Sequence, residues 1–304
     1  MAPWIGEGHG TFSLRHVADY GIQAIFFCYG VTLGLGKILR GLVNWRLHLA
    51  VHLATFLIFP LVTLFAYGLF AGESTRTLWI GIVYVGTLPS TVSSSVTMVS
   101  LARGNVPAAI FNAGISSLLG VVFTPLWMSL LLTDAGLDFD FLSSIRGLAV
   151  IVALPVVFGM LLNPWFGEWF AARRKFLRYF DQSVVLLIVY TTFCDSFGGS
   201  AFVGFGFLTL GLLGSGMIVL FFIVYGILRV VCRLCRFDRN DSITVLFCGS
   251  KKSLMHGTAM GVVLFGGGNV NLGVLLLPII FYHALQLVVV SLIAGRLAAT
   301  AEPH

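Results

Sequence analysis

The sequence predicts an all-α polytopic membrane protein built as an inverted repeat in which two broken helices cross. Three observations carry this. Of 304 residues, 58% are hydrophobic and only 10% charged, a composition outside the range of soluble domains. Its 27 Phe and 35 Gly fit helices packed through small residues, whereas a β-barrel would alternate in short segments. Nine apolar stretches of membrane-crossing length fall at about 15–36, 47–70, 77–102, 105–132, 146–162, 182–198, 206–228, 242–264 and 271–295. Two of them, the third and the eighth, are interrupted by polar residues at matching places.

Residues 1–13 are short and polar, without the basic start or apolar core of a signal peptide. Orientation follows from Lys and Arg in alternate loops. Thirteen lie on one side, among them Lys37, Arg46, Arg103, Arg174, Arg236, Arg239 and Arg296. The other side has Arg15, Arg76 and Arg146 beside the acidic Asp134, Asp138 and Asp140. The first side is therefore expected in the cytoplasm of a cell (inner) membrane protein, with the C-terminus inside. The net charge of +6 sorts by loop in this way and implies the bilayer, not nucleic acid, as partner. Cys232 and Cys235 stand beside arginines with no second Cys or His pair, and read as reduced bystanders of a cytoplasmic loop.

In the third stretch Pro89 is followed by Ser90, Thr91, Ser93, Ser94 and Ser95. Proline removes an amide donor and disfavours helix in the residue before it, and the hydroxyls can cap a restarted helix. In the eighth stretch Gly249-Ser250-Lys251-Lys252-Ser253 lies near the bilayer midplane, where each lysine costs about 2.5 to 3.5 kcal/mol on insertion scales. Backbone leaves the helix at such depth only where protein or water satisfies its amides. Both stretches are thus expected to open around a polar cavity.

The two interruptions correspond. Gly104-Asn105-Val106 follows the third stretch and Gly268-Asn269-Val270 the eighth, 164 residues apart, and the same offset sets Pro89 opposite Ser253. Five crossings separate the copies, so the second is inverted. This gives a single membrane domain, 1–304, with one repeat over 15–132 and another over 146–295. Paired discontinuous helices in inverted repeats are the architecture of secondary transporters, with the site where the breaks meet. The fifth crossing has no partner, so a five-helix repeat would need one more helix in front of Arg15.

Asp195, within the sixth crossing, is expected either to meet a cation or carry a proton, or else to face a wet outer mouth. His256, one turn beyond Lys252, either lines the cavity or is a satisfied core histidine. His48, His52 and His283 read as packing or interfacial residues. Asn112 and Gln286 are placed to hydrogen-bond between helices, Asn112 with the stronger claim to the site.

These motifs resemble the bile acid:sodium symporter family, and within it the divergent SBF-like branch. Leu101-Ala102-Arg103-Gly104-Asn105 is similar to the family's signature after its first broken helix, and Gly249-Ser250-Lys251-Lys252-Ser253-Leu254 to that of the branch; the likeness spans nearly the whole chain. The resemblance implies ten helices, a panel and a core domain, and sodium-driven import of organic anions. Arg15 to His304 then looks like helices two to ten of that plan. The family's sodium ligands carry over poorly. Its Ser-Asn pair falls at Ser95 and Val96, its next hydroxyls at Ala109 and Ala113 beside Asn112, its glutamine at Thr55 before Pro60, and its acidic ligand at Ser250 and Lys251.

The expected function is transport of a small organic anion by alternating access, coupled to sodium, protons or both, with no covalent chemistry and no cofactor beyond a sodium ion. Ser90, Thr91, Ser93, Ser94, Asn112, Lys251, Lys252, Ser253 and His256 are the substrate-site candidates. Ser95, Asn112 and Ser250 are the sodium-site candidates, and Lys251, Lys252 and Asp195 the coupling residues. One lysine is expected to stand in for a sodium ion and make transport sensitive to pH; the other reading is that both lysines only attract the anion. A membrane scaffold that keeps the fold without transporting is the alternative function. An intramembrane enzyme is disfavoured, because Cys248 and His256 lie more than two helical turns apart.

Overall fold

The computed structural model describes residues 14–33, 44–134, 139–198, 206–266 and 270–299. These residues are helical throughout, joined by short turns. In chain order the elements are α1 (Leu14–Leu33), α2 (Trp45–Phe70), α3a (Arg76–Thr87), α3b (Ser93–Leu101), α4 (Val106–Asp134), α5 (Phe141–Ala172), α6 (Arg174–Gly198), α7 (Phe207–Leu234), α8a (Arg239–Gly249), α8b (Leu254–Phe265) and α9 (Leu272–Ala299). Among the described residues five helices (α2, α4, α5, α7 and α9) are long and apolar enough to cross a membrane unbroken. The third and eighth stretches are broken helices, non-helical over 88–92 and 250–253. The order long helix, two half-helices, long helix occurs in α2 to α4 and again in α7 to α9.

The fifth and sixth crossings differ from the hydropathy reading. Helix α5 continues through Pro164 to Ala172, and α6 begins at Arg174. An amphipathic helix end loses its apolar average before it loses its backbone hydrogen bonds, and Asn163 Nδ2 donates to Val31 O (2.6 Å), which docks this end onto α1.

Helix α1 lies along α5 and against α6. The α1–α5 contact is backbone to backbone: a Cβ on Gly30 would collide with Val156 O, and one on Gly159 with Phe27 O. The remaining helices pack around the two breaks, α9 against α3a and α8b, α7 against α9 and α8a, and α2 against α4 and α8a. Between these groups, α6 touches α8b and α9, and α5 touches α4 and α8b.

Two helices contain a π-turn ahead of a proline: Ala54–Ile58 before Pro60 in α2, and Ala149–Ala153 before Pro155 in α5. In α2 the Phe59 N–H reaches back five residues to Ala54 O, and Pro60 has no N–H to give. Thr55 O and Phe56 O are therefore released from the helix. Phe56 O accepts Trp127 Nε1 of α4 (2.8 Å); the partner of Thr55 O belongs to the site.

The Leu-Ala-Arg-Gly-Asn signature closes the turn from α3b to α4. Arg103 is left-handed (φ 59°), its N–H meeting Ser100 O and that of Gly104 meeting Val99 O (2.8 Å), an αL helix stop. Gly104 is required by close approach, since a Cβ there would press on Ile243 and Asn240 O of α8a. Asn105 then ties the halves of the molecule together. Its Nδ2 donates to Asp241 Oδ1 (2.8 Å), its N–H to Thr244 Oγ1 (2.9 Å), and Asn44, the N-cap of α2, donates to the other Asp241 oxygen. The Asp241 carboxylate, in the first turn of α8a where the helix dipole favours it, thus collects α2, the α3b–α4 turn and α8a. Asp241→Leu is expected to lower the stability of the solubilised protein by about 2 to 4 kcal/mol, because hydrogen bonds to a charged group are lost together; thermal unfolding of the variant against the parent measures it.

Candidate functional site

The site is where the two breaks meet. Ser253 N–H donates to Pro89 O at 3.0 Å, the pair that the 164-residue offset sets opposite one another. A helix that stops inside hydrocarbon strands the carbonyls of its last turn, and here donors from elsewhere in the chain meet them. After α3a, Gly86 O and Leu88 O accept Lys252 Nζ (2.6 and 2.7 Å), Thr87 O accepts Thr124 Oγ1 (2.9 Å) and Pro89 O accepts Ser253. After α8a, Cys248 O accepts Ser90 Oγ (2.6 Å) and Ser250 O accepts the Tyr282 hydroxyl (2.6 Å). Gln286 of α9 grips the second break from both sides, accepting Lys252 N–H at Oε1 (2.8 Å) and donating Nε2 to Lys252 O (2.7 Å). Ser253 caps α8b, its Oγ accepting His256 N–H and pairing with His256 Nδ1.

The two lysines are both fully buried and differ sharply in what surrounds their ammonium groups. Lys252 Nζ donates to three backbone carbonyls, Gly86 O, Leu88 O and Thr55 O (2.8 Å), and lies 4.2 Å from the centroid of the Phe59 ring. The released carbonyl of the α2 π-turn thus faces the stranded carbonyls of α3a, and the ammonium fills the point on which they converge. Lys251 Nζ has one hydrogen bond among the described residues, to Ser94 Oγ (2.8 Å). Ser94 donates to Thr91 Oγ1 (2.9 Å), and Thr91 shares a hydrogen bond with Ser95 (2.6 Å). These residues stand at the N-terminus of α3b, where the exposed Ser93 opens the helix and the dipole favours an anion.

The other predicted residues distribute as follows. Ser250 Oγ donates to Leu246 O (2.6 Å), back along its own helix. Asn112 is turned the other way, its Oδ1 3.2 Å from His48 Nδ1 and its Nδ2 on Ala108 O. So Ser95, Asn112 and Ser250 each have a partner of their own. Near the His48–Asn112 pair an apolar cavity of about 360 Å³, lined by Trp45, His48, Leu49, His52, Phe111 and Ile115, contains none of the predicted residues. His256 is fully buried with its ring against Phe26 of α1 (centroids 4.9 Å apart), and its Nε2 has no partner among the described residues. The buried hydroxyl of Tyr29, also on α1, faces Ser117 of α4. Asp195 belongs to α6, but its side chain lies outside the described residues, as do residues 267–269 of the second Gly-Asn-Val junction.

Sequence reasoning missed Tyr282, Thr124 and Ser116, the last accepting Ser90 N–H (3.0 Å). A hydroxyl on an apolar helix gives no signal of which carbonyl it meets. Asp181 was also missed. It sits one residue before the predicted sixth crossing, yet one of its oxygens is buried without a partner among the described residues.

The sequence profile of the SBF-like CPA transporter family matches residues 1–299. An uncharacterized protein of Pseudomonas aeruginosa is 38% identical over 96% of this chain and 87% of its own length. YfeH of Escherichia coli, whose name proposes a symporter, is 35% identical over 90% and 82%. Sodium/bile acid cotransporter 7 of Rattus norvegicus is 29% identical over 96% and 86%.

Gln286→Leu removes the partners of both the N–H and the carbonyl of Lys252 inside the break. A melting experiment on the solubilised variant is expected to show a loss of about 2 to 4 kcal/mol, since a buried donor and a buried acceptor are left unpaired.

Proposed function

The chain belongs to the SBF-like CPA transporter family, and from that premise we propose that it is a secondary transporter carrying a small organic anion by alternating access with sodium as the coupling ion. The observation that carries the anion is Lys251. A fully buried ammonium with a single hydroxyl partner has donors to spare, and an unneutralised charge in such surroundings calls for a counter-charge. An anionic group at the N-terminus of α3b would take that ammonium together with the Ser93, Ser94 and Thr91 hydroxyls and the helix dipole. The Nε2 of His256 on α8b, unpaired among the described residues, is a polar atom for the rest of the substrate.

Sodium coupling is supported by the names of relatives, one a sodium/bile acid cotransporter. The oxygens of Ser95 and Ser250, beside the two breaks, are the candidates to hold the ion, with Asn112 more remote through its bond to His48. Relative motion of α1, α5 and α6 against the helices around the breaks would expose the site alternately to each side. The arginine distribution supports an orientation in a cell (inner) membrane with the C-terminus in the cytoplasm.

Purified protein should melt at higher temperature in the presence of organic anions, and the affinity should fall at least about tenfold in Lys251→Gln, the weight of one charge-assisted contact. A parent protein whose melting ignores every anion, with or without sodium, would instead be a scaffold. For topology, single cysteines at Arg174 and Arg236 are expected to react only with reagent on the cytoplasmic side, and one at Asp138 only from outside. Outside labelling at Arg174 removes the inverted repeat.

A further inference from the structure

We infer that the Lys252 ammonium is a built-in cation, occupying permanently the point at which the broken helices would otherwise require a free metal ion. This deepens the transport reading and rests on it only for the number of ions moved. Three features carry the assignment to Lys252 and away from Lys251. Its three oxygen partners, at 2.6 to 2.8 Å, are all backbone carbonyls, the ligand type by which broken helices hold cations. They come from two separate irregularities, the π-turn of α2 and the carboxyl end of α3a, and no hydrogen bond within either helix points all three at one place. The fourth neighbour is the face of Phe59 at 4.2 Å, which attracts a cation and nothing else present there.

None of these partners is a carboxylate, so the cage neutralises nothing; it only solvates a positive charge. A side chain placed merely to fill space would not need the charge, and a hydrogen-bond donor alone would not need the ring. Tethered to the second break while held by the first, the ammonium joins α2, α3a and α8 whatever the salt outside. A sodium ion can then enter at one further place at most, on the Lys251 side of the breaks.

The test is a melting series on purified Lys252→Ala and Lys252→Met in choline, sodium, lithium, potassium or ethylammonium chloride at equal ionic strength. Both variants should melt on the order of 10 °C below the parent, as expected when a buried charge is removed from its partners. Lys252→Ala leaves room beside the carbonyls and should recover saturably with ethylammonium or one alkali cation. Lys252→Met fills that room without charge and should not, and the parent should gain nothing from ethylammonium. Lys252→Met melting within about 2 °C of the parent, or Lys252→Ala no more responsive to any cation than the parent, overturns the inference. If Lys252→Ala cannot be purified, calorimetric titration of the parent with sodium decides: one site or none agrees, and two equivalents overturn it. Cation rescue in a protein that moves no anion would sink the transport reading and leave the built-in cation standing.

Discussion

Everything at the centre of this molecule depends on one constraint, that a helix interrupted inside hydrocarbon must find partners for its stranded carbonyls within the protein. Four consecutive carbonyls, 86 to 89, are released where α3a ends, and each accepts a donor from another helix: Lys252 twice, Thr124 and Ser253. The second break is answered in the same way by Ser90, Tyr282 and Gln286. Because Lys252 and Ser253 of the second break serve the first, and Ser90 of the first serves the second, each opening leans on the other. The two breaks are therefore a single structural unit, and the polar residues that look expensive in the sequence are what makes that unit self-sufficient.

The two adjacent lysines illustrate how one dipeptide divides its labour by direction. Successive side chains in an extended segment point to opposite sides. Lys252 turns toward α2 and α3a and meets four partners, whereas Lys251 turns toward α3b and meets one hydroxyl. The first environment is closed and complete. The second is open-ended, and that asymmetry separates a structural charge from one available to a ligand.

Much of this was legible before any coordinates. Composition and hydropathy gave the class of fold; Pro89 and the Gly-Ser-Lys-Lys-Ser run gave the two breaks; and the 164-residue offset paired Pro89 with Ser253, which bond directly. What could not be read is equally specific. The π-turn at Ala54–Ile58 leaves no trace in hydropathy, because five apolar residues read alike in α or π geometry; only Pro60 hinted at freed carbonyls. Asn112 looked suited to the site by proximity in sequence, but helix rotation presents it to His48. The Leu-Ala-Arg-Gly-Asn signature read only as a mark of the family, and its Asn105 is a buttress on Asp241. A motif records that a residue is needed, and its partners decide for what.

The glycine contact between α1 and α5 has a mechanical meaning. Where Gly30 and Gly159 press backbone on backbone, the two helices interlock like teeth cut to a single depth, and sliding either one by a residue would drive a Cβ into the opposing chain. They therefore behave as one stiff plate. Any shear within the molecule is then relieved along the plate's other edge, facing α4 and α8b, where the ring of His256 packs on Phe26 and its Nε2 is uncommitted among the described residues.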